Sequence, residues 1–170
     1  MKNVVRRLSD WERKATRPIA LPEISGWRRA ASLGAHLGDG ALWAAIGLGL
    51  LIWGRPHLRA LTVFIALAVL GTTIVSSAIK YTVRRPRPRE LAQFYALKYD
   101  RYAFPSGHAM RMGVIATTVS HFEPRLAPAA FALALIVGSC RVLVGVHYPS
   151  DVVGGWAIGI AGGACFLLLL

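Results

Sequence analysis

Residues 80–88 read KYTVRRPRP, residues 105–108 read PSGH, and residues 141–151 read RVLVGVHYPSD. In that order they place Lys80, Arg87 and Pro88, then Pro105, Ser106, Gly107 and His108, then Arg141, His147 and Asp151. The rest of the chain is dominated by long apolar runs. Three fixed cations, two histidines and one carboxylate can grip phosphate oxygens and move protons around them. The spacings Lys-x6-Arg-Pro, Pro-Ser-Gly-His and Arg-x5-His-x3-Asp make the set specific, because each residue type recurs at a place that the chemistry needs.

The composition narrows the class. The chain has 170 residues, which fits one domain over 1–170. It is 55% apolar yet carries a formal net charge of +12. Together these point to a membrane-embedded bundle with basic flanks. A nucleic-acid binder would interleave basic and aromatic residues instead of running long stretches almost free of charge, so nucleic acid is excluded as a partner. The anionic partner implied by the charge is a lipid headgroup or a phosphate substrate. The first thirty residues lack the apolar run and small-residue site of a secretory signal. Cys140 and Cys165 lie in apolar stretches at different depths and are expected as separate free thiols.

Residues 1–29 hold eight Lys or Arg residues and three acids. Val4, Val5, Leu8 and Trp11 recur near helical spacing, opposed by Arg6, Arg7, Asp10, Arg13 and Lys14, which predicts an interfacial amphipathic helix. Five spanning candidates follow: 30–53, interrupted by His36 and Asp39; 58–82; 105–122; 125–144; and 148–170. Each approaches the roughly 20 residues that cross a hydrocarbon core. The third is the shortest and carries Arg111. The expected fold class is therefore all-α, an integral membrane bundle of about five transmembrane helices plus the N-terminal interfacial helix.

Alternation of the spans brings the three motifs together. Lys80 ends the second span and His108 begins the third. Arg141 lies near the end of the fourth, and His147 opens the fifth. All four reach one membrane face. On that face, apart from the motif cations, residues 1–29 and the loop to Arg101 contribute thirteen Lys or Arg residues. The opposite connections offer Arg55, Arg59 and Arg125. The positive-inside rule then predicts a cytoplasmic site in a multi-pass protein of the cell membrane.

Read as chemistry, Arg87 and Arg141 supply planar forks for phosphate oxygens and Lys80 a compact charge. Ser106 and Gly107 stand where a helix begins, so free backbone N–H groups there form an anion cradle. Asp151 follows His147 by four residues, a spacing that lets the carboxylate orient one ring nitrogen and leave the other to attack phosphorus. His108 is left to protonate the leaving alcohol. Possible headgroup contacts are Arg84, Arg85, Arg89, Arg111 and Asp39. Asp39 has an alternative in pairing with an internal cation, and Arg111 in snorkelling or internal pairing. Arginines around Arg87 favour a diphosphate or phosphosugar lipid. Gly155, Gly159 and Gly163 share one face of the last span and predict close helix packing.

The three motifs resemble those of the type 2 phosphatidic acid phosphatase superfamily, in its integral-membrane branch. That resemblance covers about 80–151. It implies a membrane lipid phosphatase with a phosphohistidine on the residue matching His147, acid catalysis by the one matching His108, and no metal or other cofactor. It also extends to vanadium haloperoxidases. One departure stands out: the family usually has Ser directly before the third-motif Arg, and here Cys140 holds that place after Ser139. The expected substrates are a polyprenyl diphosphate or polyprenyl-phosphate carrier first, then phosphatidic acid or phosphatidylglycerol phosphate. Two other classes answer to the same residues, a non-hydrolytic lipid-phosphate carrier and a metal- or vanadate-dependent enzyme. Three clustered cations disfavour a divalent metal, and a carrier has no need of the His147–Asp151 pair.

Overall fold

The computed structural model describes residues 2–17, 19–22, 24–88 and 101–169. Its elements are α1 (Lys2–Thr16), α2 (Gly26–His36), α3 (Gly40–Trp53), α4 (Pro56–Val83), α5 (Gly107–Phe122), a 3-10 turn (Pro124–Leu126), α6 (Ala127–Leu143) and α7 (Pro149–Leu167). No strand occurs among the described residues. Prolines occupy the first turns of α4, α6 and α7, where a missing N–H costs no helical bond. At its far end α4 stops on Arg84, whose φ of 52° is left-handed. The prolines that follow at 86 and 88 prevent the helix from continuing.

Three helices are long and apolar enough to cross a bilayer: Pro56–Val83, Pro124–Leu143 and Pro149–Leu167. The first expected span is not one helix. It is divided into α2 and α3, bent by 47° at the break, and counts as a fourth crossing only if the pair is taken together. The cause is local, since Gly38, Asp39 and Gly40 interrupt the apolar run and Asp39 adopts extended backbone. At 16 residues α5 is about 24 Å long, short of a full crossing.

That shortest helix is the centre of the bundle. It packs against α4, α6 and α7, while α2 lies on α6 and α3 on α4. Met110, Met112, Val114, Ile115 and Ala116 are buried around its whole circumference, with Ala68, Ala134 and Val137 from the helices outside it. A helix covered on every side has no need of a polar face or of extra length. The surrounding helices do the reverse and expose Leu67, Leu70, Ile74, Leu135 and Ile136. An apolar exterior around a packed interior suits hydrocarbon as the solvent.

Helices α5 and α7 cross at near backbone contact. A Cβ built on Gly155 would lie 2.6 Å from the Ser106 carbonyl oxygen, and one on Gly159 would lie 2.1 Å from that of Met110. The stripe expected on α7 is thus a packing face inside the bundle. Gly159→Ala should therefore destabilise the protein by about 1–3 kcal/mol or more, because the obstacle is backbone that cannot rotate away. Gly26→Ala, where a Cβ meets nothing within 4 Å, is the control. Thermal melting of both variants in detergent checks the difference.

Candidate active site

Four chain segments deliver the motif residues to one end of the bundle. Lys80 lies one turn before the end of α4 and is buried. Ser106 precedes the first residue of α5, with His108 second in that helix. Arg141 lies in the last turn of α6, and His147 lies two residues before Pro149 opens α7. The starts of α5 and α7 are joined through backbone, since the Ser106 N–H donates to the Asp151 carbonyl at 2.9 Å. Arg141, Arg87, Lys80 and His108 all act electrostatically on His147. The six charged or titratable residues of the motifs are therefore gathered into one cluster.

His147 is 2% exposed. Burial first, and then the charges of Arg141, Arg87 and Lys80, hold its pKa well below the usual histidine value. The ring is neutral at physiological pH. Arg87 Nη1 lies 3.3 Å from Nε2. Because a guanidinium only donates, Nε2 is the acceptor and the ring proton sits on Nδ1. The lone pair of Nε2 thus faces the arginine that would hold a phosphate oxygen. Ser106 Oγ and His147 Nδ1 are both buried without a hydrogen-bond partner among the described residues. Above Gly107 a Cβ would meet nothing within 4 Å, so the helix start is open to an anion.

Asp151 departs from its expected geometry. Its Oδ2 is 3.6 Å from His147 Nδ1, too far for a hydrogen bond. That oxygen instead accepts the Tyr148 N–H at 2.8 Å, capping α7, while Oδ1 accepts Arg85 Nη1 at 2.7 Å. The carboxylate acts on the ring as a nearby charge and not as a bonded partner.

Arg85 requires a correction. Grouped by sequence with headgroup contacts, it is 2% exposed and forms the hub of an interior cage. It pairs with Glu12 and Asp151, donates to Ser9 Oγ at 3.0 Å and Ser150 Oγ at 2.6 Å, and stacks 4.3 Å over the Tyr148 ring. Burial pushes the Glu12 carboxyl up, but hydrogen bonds from Arg85 and Ser150 outweigh it and hold the group below its usual range. Sequence reading missed Glu12 altogether. The only available signal was its i, i+4 spacing from Thr16 and i, i+3 spacing from Ser9, a buried stripe of polar residues on α1. The apolar residues Val4, Leu8 and Trp11 remain exposed on that helix.

The remaining expected contacts divide. Arg84 is exposed and folds back on Tyr81 O at 2.8 Å. Arg89 lies outside the described residues. Arg111 Nη1 donates to the Gly38 carbonyl at 2.5 Å, an internal pairing. Asp39 binds His108 Nε2 through Oδ1 and His36 Nδ1 through Oδ2, both at 2.7 Å. The structure gives Asp39 the internal pairing that was its alternative. The Cys140 thiol packs on α2, where a Cβ on Gly34 would come within 2.6 Å of its sulfur.

Comparison with known proteins gives one family. A family model described as the PAP2 superfamily matches residues 61–170. The chain is similar to a lipid A 1-phosphatase from Rhizobium etli, 34% identical over 125 residues, which are 66% of this chain and 54% of that one. It is also similar to an undecaprenyl-diphosphatase from Sulfolobus acidocaldarius, 30% identical over 122 residues, 69% of this chain and 58% of that one. The chain thus spans little more than half the length of these relatives. Among solved structures, LpxE of Aquifex aeolicus superposes with a TM-score of 0.73 at 27% identity, over 91% of this chain and 93% of that one.

Removing the Arg85 side chain strands two buried carboxylates. Arg85→Met is expected to cost about 3–5 kcal/mol, seen as a large fall in melting temperature in detergent. Arg84→Met, on an exposed neighbour, should melt like the parent. Adding Glu12→Gln to Arg85→Met should recover part of the loss, because one stranded charge is then gone.

Proposed function

The chain belongs to the PAP2 superfamily, and from that premise we propose that it is a membrane lipid phosphatase acting through a covalent phosphohistidine. The observation that carries the reading is the neutral His147 ring with Nε2 3.3 Å from Arg87. The neutral ring keeps its lone pair on Nε2, which attacks phosphorus once Arg87 turns its Nη1 hydrogen from the ring to a phosphate oxygen.

The steps follow from the charges. Arg87, Arg141 and Lys80 neutralise the phosphate oxygens, and the N–H groups at the start of α5 cradle the same anion. The Nε2 lone pair of His147 forms a bond to phosphorus as the bond to the leaving oxygen breaks. His108 gives its proton to that oxygen. Asp151, 3.6 Å from Nδ1, offsets the positive charge that the ring gains. Water then attacks the phosphohistidine, its proton returns to His108, and phosphate leaves with His147 restored.

The proposed substrate is a lipid ending in phosphate or diphosphate, with polyprenyl diphosphate first and a phosphosugar lipid beside it. The names of the two relatives support both. Phosphatidic acid and phosphatidylglycerol phosphate come after them. Detergent-purified protein should release phosphate from at least one of these lipids in excess EDTA. His147→Ala should abolish release, with a fall of at least about 10³-fold for loss of a nucleophile. Release that survives in His147→Ala, or that EDTA stops, would refute the mechanism.

We also propose a cytoplasmic site, on the excess of basic residues at the motif end of the bundle. In a background lacking Cys140 and Cys165, Arg55→Cys should react with a membrane-impermeant thiol reagent on intact cells. Arg84→Cys should react only after the cells are opened. The opposite pattern would put the site outside.

A further inference from the structure

We propose that Asp39 is the positioning residue for the acid, holding His108 by Nε2 and stabilising its protonated form, with His36 fixing the carboxylate from the other side. The inference rests on the phosphatase reading and extends it to the break between α2 and α3, which none of the three motifs includes.

The geometry is built from both sides. Asp39 Oδ1 is 2.7 Å from His108 Nε2, and Oδ2 is 2.7 Å from His36 Nδ1. Each carboxylate oxygen has one imidazole. The break reaches His108 because its flanking residues have no side chains. A Cβ on Gly38 would lie 3.1 Å from His108 Cδ2 and 2.6 Å from a methyl of Val137. A Cβ on Gly40 would crowd the Arg111 guanidinium at 3.2 Å. That same guanidinium donates to the Gly38 carbonyl, so α5 grips the break one turn beyond the residue that the break serves. The Trp43 indole closes it from the other direction, donating to Leu37 O at 2.7 Å.

The chemistry requires such a partner. An acid must carry its proton when substrate arrives, yet burial first, and then the charges of Arg141 and Arg111, work against a second proton on His108. Nearby positive charge disfavours a further proton, whereas a carboxylate at hydrogen-bond distance favours it. With Nε2–H bonded to Asp39, Nδ1 is the ring nitrogen left to give its proton to the leaving oxygen. After transfer the ring keeps its Nε2 proton on Asp39. Nδ1 then accepts a proton from the water that hydrolyses the phosphohistidine. Exposure rises outward along the chain of groups, with side chains of His108, Asp39 and His36 at 17%, 26% and 34%. The carboxylate is thus sheltered on its His108 side and wetter on the other.

Leaving-group dependence separates this role from a structural one. Acid catalysis matters for an alkoxide and little for a stable phenolate. Release of the leaving group in a single turnover, before water attacks the phosphohistidine, would be measured for an alkyl lipid phosphate and for p-nitrophenyl phosphate. Asp39→Asn should lower that rate on the alkyl ester by about 100-fold or more, within the range that acid catalysis supplies, and on the aryl ester less than about fivefold. His108→Gln should show the same split. Asp39→Glu, which keeps the charge, should recover part of the alkyl activity, and His36→Gln should steepen the dependence to a smaller degree. These two variants carry the test if Asp39→Asn does not fold. Equal losses on both esters, or no loss on either, would overturn the assignment while leaving the phosphatase reading intact. A parent protein that releases phosphate from neither ester would overturn both.

Discussion

Helices α5 and α7 approach so closely that their backbones touch, and the arrangement of the site follows from that contact. Glycines on α7 meet carbonyls of α5 with no room for a methyl group, and the Ser106 N–H closes the joint on the Asp151 carbonyl. One helix start carries Ser106 and His108. The other follows directly on His147. Fixing the two starts to each other therefore fixes both histidines without any contact between their side chains. The cations arrive from the ends of α4 and α6, which pack around the same central helix.

Around this joint the protein uses its charges in two separate ways. Arg87, Arg141 and Lys80 bring positive charge near His147. Arg85, two residues from Arg87, is matched internally by Glu12 and Asp151 and fully buried. The first group acts on the His147 ring. The second spends its charge on holding α1 and α7 in place, so that Asp151 stays near His147 without hydrogen bonding to it.

The gathering of the motifs was legible because it needs only residue spacing and the alternation of spans. Hydropathy also placed α4, α6 and α7 within a few residues. It failed at the break, where a window long enough to detect a span averages over Gly38, Asp39 and Gly40. It undervalued α5, since a helix buried among other helices need be neither long nor uniformly apolar. Arg84, Arg85 and Arg87 cannot be told apart in sequence, because what distinguishes Arg85 is a carboxylate 73 residues away. The placing of Asp151 fell short for a different reason. A separation of four residues brings it near His147, but the N–H of Tyr148, the residue that caps α7, competes for the same oxygen and prevails.

The α1 helix has a bearing on how the chain assembles. Its polar stripe docks on groups that the ribosome makes much later: Glu12 bonds to Ser150, 138 positions on, and Arg13 donates to the Tyr148 hydroxyl at 3.4 Å. Until α7 is in place, Glu12 lacks the Ser150 bonds and has Arg85 as its partner. Its exposed Val4, Leu8 and Trp11 give it somewhere to wait at the bilayer surface. The helix α1 is thus made well before its partners on α7 exist. The cage around Arg85 closes only when α1 and α7 meet.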